Sequence, residues 1–136
     1  MNNTQTFPGR FENLEDISQM VGKAAENAGL DDSGVYAIQL AVDEACTNII
    51  EHAYGGEGRG QIDVTTKVTP TSIVIQLRDF GRPFDPASIP VPQTNLPLEE
   101  IQPRGIGLFL IRKMMDEIKF EFTSENGNIL TMVKKK

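Results

Sequence analysis

The stretch AVDEACTNIIEHAY at residues 41–54 predicts the helix around which the chain is organised. No proline or glycine interrupts it, and Gly55-Gly56 follow it as a stop signal. Glu44 and Asn48 are one helical turn apart, and His52 continues the same polar stripe. The stripe borders an apolar face made of Ile38, Val42, Ala45, Ile49 and Ala53. A solvated face and a functional site explain this stripe equally well, so the other segments have to decide.

The composition is typical of a single globular domain. The chain has 136 residues, of which 39% are hydrophobic and 24% charged, and we expect one domain spanning 1–136. Its net charge of -6 argues against direct nucleic-acid binding, because dedicated nucleic-acid binders have a basic face. No run approaches the ~20 apolar residues of a membrane span, and no signal peptide is apparent. We therefore expect a cytoplasmic protein with no membrane partner.

Cysteine and histidine predict neither a disulfide nor a metal site of their own. Cys46 is the single cysteine, so it cannot form a disulfide within the chain. Its apolar neighbours predict a small buried helix residue rather than a catalytic thiol. The basic run Lys134-Lys135-Lys136 is predicted to be a solvated tail.

The segment before the organising helix predicts a short strand and a further helix. Residues 7–11 are expected to form a short edge strand. Asn13 is the predicted N-cap of a helix that runs to about Ala28, and Asp31-Asp32-Ser33 can cap the organising helix. The first helix has an apolar stripe made of Leu14, Ile17, Val21, Ala24, Ala25 and Ala28.

The segment after the organising helix predicts an antiparallel hairpin that ends in a buried carboxylate. Its alternating apolar positions are Ile62, Val64, Thr66 and Val68, then Ile73, Ile75 and Leu77. Asp79 keeps the phase of the second strand, so its carboxylate points to the buried face. Burial of a carboxylate costs several kcal/mol unless donors compensate. Asp79 therefore either bonds to backbone amides in a turn or accepts an exocyclic amino group in a pocket.

A long proline-rich segment separates this hairpin from a third predicted helix. Residues 82–104 contain six of the eight prolines, and so long a loop in a small domain is typical of a lid. Arg104-Gly105-Ile106-Gly107 then opens the helix, where free backbone N–H groups favour phosphate. Two strands, 118–122 and 129–133, are expected to close the chain around a turn at 126–128.

These motifs together resemble the Bergerat-type ATP-binding fold of histidine kinases, DNA gyrase and mismatch-repair ATPases. Three segments resemble the anti-sigma factor serine kinases of the RsbW and SpoIIAB type. They are residues 43–48 with 52–54, residues 78–86 and residues 105–111. The resemblance covers almost the whole chain. It implies an α+β fold, a two-layer α/β sandwich with a mixed, mostly antiparallel sheet and three main helices.

The resemblance implies binding of ATP with Mg²⁺ and assigns roles at both ends of the nucleotide. Asn48 would supply an amide oxygen to Mg²⁺, and Glu44 would orient or deprotonate the attacking hydroxyl. Asp79 would accept from the adenine amino group, while Gly81 would let the base lie against the backbone. His52 matches the family by position and has no assigned role.

At the phosphates, the resemblance assigns a cradle to Gly105 and Gly107, with added charge from Arg104. The last strand departs from the family, which commonly carries a Gly-Thr-x-Val segment whose threonine assists adenine binding. Gly127-Asn128-Ile129-Leu130 occupies that place, and Thr131 is out of step.

The resemblance implies a serine/threonine protein kinase in a partner-switching circuit. Such a protein binds a sigma factor in one state and phosphorylates a small antagonist protein on serine in another, and it is commonly a homodimer. The alternative is a binding module that sequesters a partner and holds nucleotide only for structure. Glu44 favours the kinase, because a module has no use for a base. A metabolic ATPase lacks support, since the sequence indicates no small-molecule substrate pocket.

Overall fold

The computed structural model describes residues 2–83 and 110–136, in which helices pack on one face of an antiparallel sheet. The strands are β1 (Asn2–Pro8), β2 (Gln61–Val68), β3 (Ser72–Asp79), β4 (Glu117–Thr123) and β5 (Gly127–Lys135). The helices are α1 (Leu14–Asn27), α2 (Asp32–Asn48) and α3, which is described over 110–114. This is the expected α+β architecture. No helix in the described part of the chain is long and apolar enough to cross a membrane.

The sheet has the order β1-β2-β3-β5-β4, and each of its four strand pairings is antiparallel. The two predicted hairpins, β2–β3 and β4–β5, are confirmed as sheet neighbours, but the second turn lies at 124–126 rather than at the predicted 126–128, because Gly127 already pairs with Thr123. A short turn forces the strands of a hairpin to be antiparallel. The expected sheet was mixed and mostly antiparallel. Among the described residues, all strand pairs are antiparallel and none is parallel.

The alternation predicted for β2 and β3 is confirmed by burial. The inward side chains are at most 4% exposed: Ile62, Val64, Thr66, Ile73, Ile75, Leu77 and Asp79. They pack with the buried faces of the two long helices, to which Ile17, Val21, Ala25, Ile38, Val42 and Cys46 belong. Cys46 is fully buried, as predicted for a small helix residue.

One of the two predicted helix N-caps makes a side-chain capping bond and the other does not. Asp31 caps α2 as expected, because its extended backbone lets the carboxylate accept from the Gly34 N–H at 2.8 Å. Asn13 precedes α1, as predicted, but its side chain does not cap the helix. A 3₁₀ turn over Phe11–Asn13 runs directly into α1, so Asn13 already has helical backbone angles and its side chain makes no capping bond.

The N-terminal strand also differs from the prediction in its bounds. It lies at Asn2–Pro8 rather than 7–11, and it pairs with β2 along its whole length. Its residues are mostly polar and exposed, because an edge strand is held by main-chain hydrogen bonds and needs no buried face. Apolar periodicity was therefore the wrong signal for this element.

The organising helix changes geometry in its last turn. α2 ends at Asn48, and a π-helical turn follows over Ile49–Ala53, in which the Tyr54 N–H donates to the Ile49 carbonyl at 2.9 Å. The wider turn buries two consecutive isoleucines, Ile49 and Ile50. The prediction of a regular α-helix to Tyr54 is therefore wrong over this turn. Such turns are frequent at functional sites.

Candidate functional site

A cavity of about 600 Å³, counting the open space at its mouth, lies where the C-terminal end of α2 meets the sheet. Its wall is mainly apolar with a few polar groups, which is typical of small-molecule sites. The helical part contributes Ala45, Asn48, Ile49, Ala53 and Ile111. The strands and the segment after β3 contribute Asp79, Arg82, Phe120, Glu121, Asn128, Ile129 and Leu130.

Asp79 is the buried carboxylate of this cavity. It is only 4% exposed, and its Oδ1 accepts from the Gly81 N–H and from Asn128 Nδ2, both at 2.9 Å. Burial raises the pKa of Asp79, and these two hydrogen bonds act against the rise. The two explanations left open by the sequence are therefore compatible, since Asp79 bonds to a nearby amide and also lines a cavity.

Asn128 is the residue that sequence analysis missed. Its Nδ2 donates to Asp79 Oδ1 at 2.9 Å, to the Gly81 carbonyl at 3.1 Å and to the Arg82 carbonyl at 3.3 Å. Asn128 and Asp79 are paired at the end of the β3–β5 ladder. The sequence marked residues 127–130 as a departure from the family, but the pairing of β3 with β5 was needed to reveal the partner of Asn128, which lies 49 residues earlier in the chain.

Gly81 allows the segment after β3 to approach the π-helical turn. A Cβ at Gly81 would lie 2.5 Å from the Ala53 carbonyl oxygen, so no larger residue fits without a backbone shift. The Arg82 N–H donates to that same carbonyl at 2.8 Å, and Arg82 Nη2 donates to the His52 carbonyl at 3.1 Å. Close packing against the Ala53 carbonyl thus explains why glycine is required at position 81. The predicted contact of Gly81 with a base stays a prediction.

Tyr54 joins the same segment to β2. Its hydroxyl accepts from the Phe80 N–H at 3.0 Å and donates to the Gln61 carbonyl at 2.5 Å. Burial raises the pKa of Tyr54, so the hydroxyl keeps its proton as a donor. The end of β3 is therefore held from two sides, by Tyr54 and by Asn128.

The polar stripe of α2 lies at the other end of the site. Asn48 lines the cavity, whereas Glu44 is half-buried one turn earlier and is not among the described lining residues. Burial, then the charges of Asp43 and Glu51, raise the pKa of Glu44. A raised pKa makes a carboxylate a stronger base. His52 also lies outside the described lining, with its Nε2 3.9 Å from Glu51 Oε2.

Arg104, Gly105 and Gly107 lie outside the described residues, as does the predicted lid beyond Pro83. Within residues 2–83 and 110–136, no group of three or more His, Cys, Asp or Glu side chains could hold a metal ion. Asn48 lines the cavity with an amide, and amide oxygens are among the ligands that hard cations such as Mg²⁺ take.

The chain matches a family model described as the histidine kinase-like ATPase domain over residues 7–134. It is 30% identical over 133 residues to the serine-protein kinase RsbW of Halalkalibacterium halodurans, covering 95% of this chain and 80% of that protein. It is 29% identical to RsbW of Bacillus cereus strain G9842, covering 94% and 81%.

Among solved structures, the chain is similar to the catalytic domain of histidine kinase ThkA. The TM-score is 0.57 at 16% identity, and the match covers 98% of this chain and 97% of that one. At this identity the likeness supports the fold alone, which is the histidine-kinase-like α+β fold that the sequence motifs predicted.

Proposed function

Because the chain belongs to the histidine kinase-like ATPase family, among its RsbW-type serine-protein kinases, we propose an ATP-dependent protein kinase that acts as an anti-sigma factor. It binds a sigma factor in one state and phosphorylates a small antagonist protein on serine in another. The observation that carries the proposal is a single cavity with a buried acceptor, Asp79, and a helix-borne amide, Asn48.

Asp79 receives the base. The exocyclic amino group of adenine is a hydrogen-bond donor, and burying it in an apolar cavity requires an acceptor. The Asp79 carboxylate is that acceptor. Ile129 and Leu130 of β5 offer apolar surface to the ring. This arrangement supports binding of ATP, with Gly81 allowing the backbone to come close.

Asn48 and Glu44 serve the phosphate end. The Asn48 amide oxygen would hold Mg²⁺, which would supply positive charge at the phosphates. Glu44 orients the serine hydroxyl and takes up its proton, a role supported by the raised pKa of its carboxyl. Arg104, Gly105 and Gly107 are proposed to cradle the phosphates at the start of the third helix.

The test is incubation of the protein with labelled ATP, Mg²⁺ and the candidate antagonist encoded beside it. We expect label on an antagonist serine. Glu44→Gln should lower transfer at least 100-fold, since general-base catalysis contributes about 10²–10⁴-fold, while ATP affinity stays near that of the wild type. Glu26→Gln, at an exposed position of α1, is the matched control.

Two results would change the proposal. ATP binding without any label on the antagonist would favour a binding module that sequesters its partner. Unchanged transfer by Glu44→Gln would remove Glu44 from the base role.

We further expect a cytoplasmic homodimer, which sedimentation of the purified chain would reveal as twice the 15.0 kDa protomer mass.

A further inference from the structure

The carboxamide of Asn128 is surrounded by acceptors. Its Nδ2 lies 2.9 Å from Asp79 Oδ1, 3.1 Å from the Gly81 carbonyl oxygen and 3.3 Å from the Arg82 carbonyl oxygen. An amide oxygen in that place would face three other oxygens, so the NH₂ group must point inward. The orientation of Asn128 is therefore decided by its neighbours.

The same contacts leave half of the Asp79 carboxylate available. Oδ1 accepts from the Gly81 N–H and from Asn128 Nδ2, whereas no described residue donates to Oδ2. A carboxylate can accept about four hydrogen bonds over its two oxygens. Asp79 lines the cavity, so Oδ2 can accept a hydrogen bond from a group bound there.

We infer that Asn128 is the positioning residue for base selectivity in this site. It holds Asp79 Oδ1 and the carbonyls of Gly81 and Arg82 so that Asp79 Oδ2 meets the exocyclic amino group of a 6-aminopurine. The inference rests on the proposed function, since it names the residue that makes the same site prefer ATP.

A hydroxyl in the place of Asn128 could not make this arrangement. Threonine has one O–H donor and would serve one of the three acceptors, whereas the asparagine NH₂ has two donors on a longer side chain. Asn128 and Asp79 are the last pair of the β3–β5 ladder, so their side chains leave the sheet on the same face. The departure from Gly-Thr-x-Val therefore has a structural consequence, a link between β5 and the segment after β3.

Selectivity follows from the fixed position of the acceptor. Adenine presents an amino donor where guanine presents the O6 acceptor. A carboxylate held in place accepts from the adenine amino group. Against guanine, Asp79 Oδ2 and the purine O6 are two acceptors with no donor between them, which is a strong basis for rejection. A carboxylate released from Asn128 can turn away from O6, so the penalty for guanine falls.

The experiment measures dissociation constants for ATP and GTP by titration calorimetry and takes their ratio. Asn128→Leu removes every donor at similar volume, and we expect the GTP:ATP ratio to fall about tenfold, the effect of one hydrogen bond to a charged group. Asp79→Asn should lower the ratio as well. The double variant should show no further fall, because both changes act through one carboxylate.

Controls separate this role from a purely structural one. Asn126→Leu, at an exposed position of the preceding turn, should leave the ratio unchanged. Asn128→Thr retains one donor, so its ratio should lie between those of the wild type and Asn128→Leu. This milder variant keeps the test valid if Asn128→Leu does not fold.

Two outcomes would overturn the inference. One is a ratio that Asn128→Thr and a folded Asn128→Leu leave unchanged; the other is an equal loss of affinity for both nucleotides, which is the sign of a structural role alone. A wild-type chain that binds neither nucleotide would instead refute the proposed function.

Discussion

Asp79 combines burial with an incomplete set of partners. It is 4% exposed, accepts two hydrogen bonds through one oxygen and forms no ion pair with a described residue. Keeping such a group charged costs folding free energy, which is tolerated where the group serves a ligand. Asp79 is therefore the residue whose energetics depart most clearly from those of a packed core.

This cost predicts how stability depends on pH. The pKa of Asp79 is raised by folding, so the folded state holds its proton more tightly than the unfolded chain. The stabilisation is complete below the unfolded pKa of about 3.9 and is lost as pH rises through the folded pKa. The substitution Asp79→Asn removes this pH-dependent loss of stability. The amide oxygen of the new asparagine can still accept hydrogen bonds from the Gly81 N–H and from Asn128.

We therefore expect the free energy of unfolding of Asp79→Asn to become larger relative to that of the wild type from pH 4.5 to pH 7.5, so that the variant gains relative stability. Urea unfolding at both pH values measures it. Asp16→Asn, at an exposed position of α1, controls for the change in net charge. A difference that moves in the opposite direction would show that the buried carboxylate stabilises the fold.

At the scale of elements, the junction between the π-helical turn and the end of β3 positions the site. The Ala53 carbonyl accepts from the Arg82 N–H, and the Tyr54 hydroxyl bonds to Phe80 and Gln61. The wide turn places this carbonyl and Tyr54 against the strand. Asn48 precedes the turn and Asp79 precedes the junction, so the junction sets the spacing between the two polar ends of the cavity.

Gly81→Ala tests that junction. The new Cβ would lie 2.5 Å from the Ala53 carbonyl oxygen, which is backbone and cannot move without disturbing the π-helical turn. We expect a loss of about 1–3 kcal/mol in the free energy of unfolding, together with weaker ATP binding. Urea unfolding and calorimetric titration measure the two effects.

Gly22→Ala is the matched control for this change. Gly22 lies in α1, and its new Cβ would meet the end of the Gln39 side chain, which can rotate away at the loss of its 3.1 Å hydrogen bond to the Ser18 carbonyl. Alanine also favours the helix over glycine by about 1 kcal/mol, so we expect a small net effect. Equal losses for the two variants would contradict a special role for the junction.

At the scale of the whole molecule, ligand binding and folding are linked through the cavity between the helices and the sheet. A ligand that binds only the folded state stabilises it by about 2.7 kcal/mol at 100 times its dissociation constant. Because the cavity is lined by α2, β3, β4 and β5, its occupant contacts both the helical layer and the sheet. ATP is therefore expected to raise the thermal midpoint of the entire domain.

The variant Asn48→Ala should distinguish the contribution of Mg²⁺ from that of ATP to this stabilisation. In the wild type, Mg²⁺ should increase the rise in thermal midpoint that ATP causes. In Asn48→Ala this Mg²⁺-dependent increment should disappear, because the amide oxygen is lost. Asn27→Ala, at the exposed end of α1, is the control. A full increment in Asn48→Ala would remove Asn48 from the metal site.

Much of the fold could be predicted from local pattern. The stripes of α1 and α2 and the alternation of β2 and β3 decided which faces are buried, because side-chain direction follows the helical and strand periods. Asp79 was predicted as buried for the same reason, and its 4% exposure confirms it. The motif order also predicted the histidine-kinase-like architecture that the family model and the fold comparison confirm.

Features that depend on contacts between distant segments were decided only by the tertiary structure. β1 has no buried face to mark it, and no sequence pattern marked the π-helical turn at Ile49–Ala53 or the 3₁₀ turn that precedes α1. The link from Asn128 to Asp79 requires the pairing of β3 with β5. Sequence periodicity reports which face a residue takes, whereas the strand partner opposite that residue is set by the packing of the whole chain.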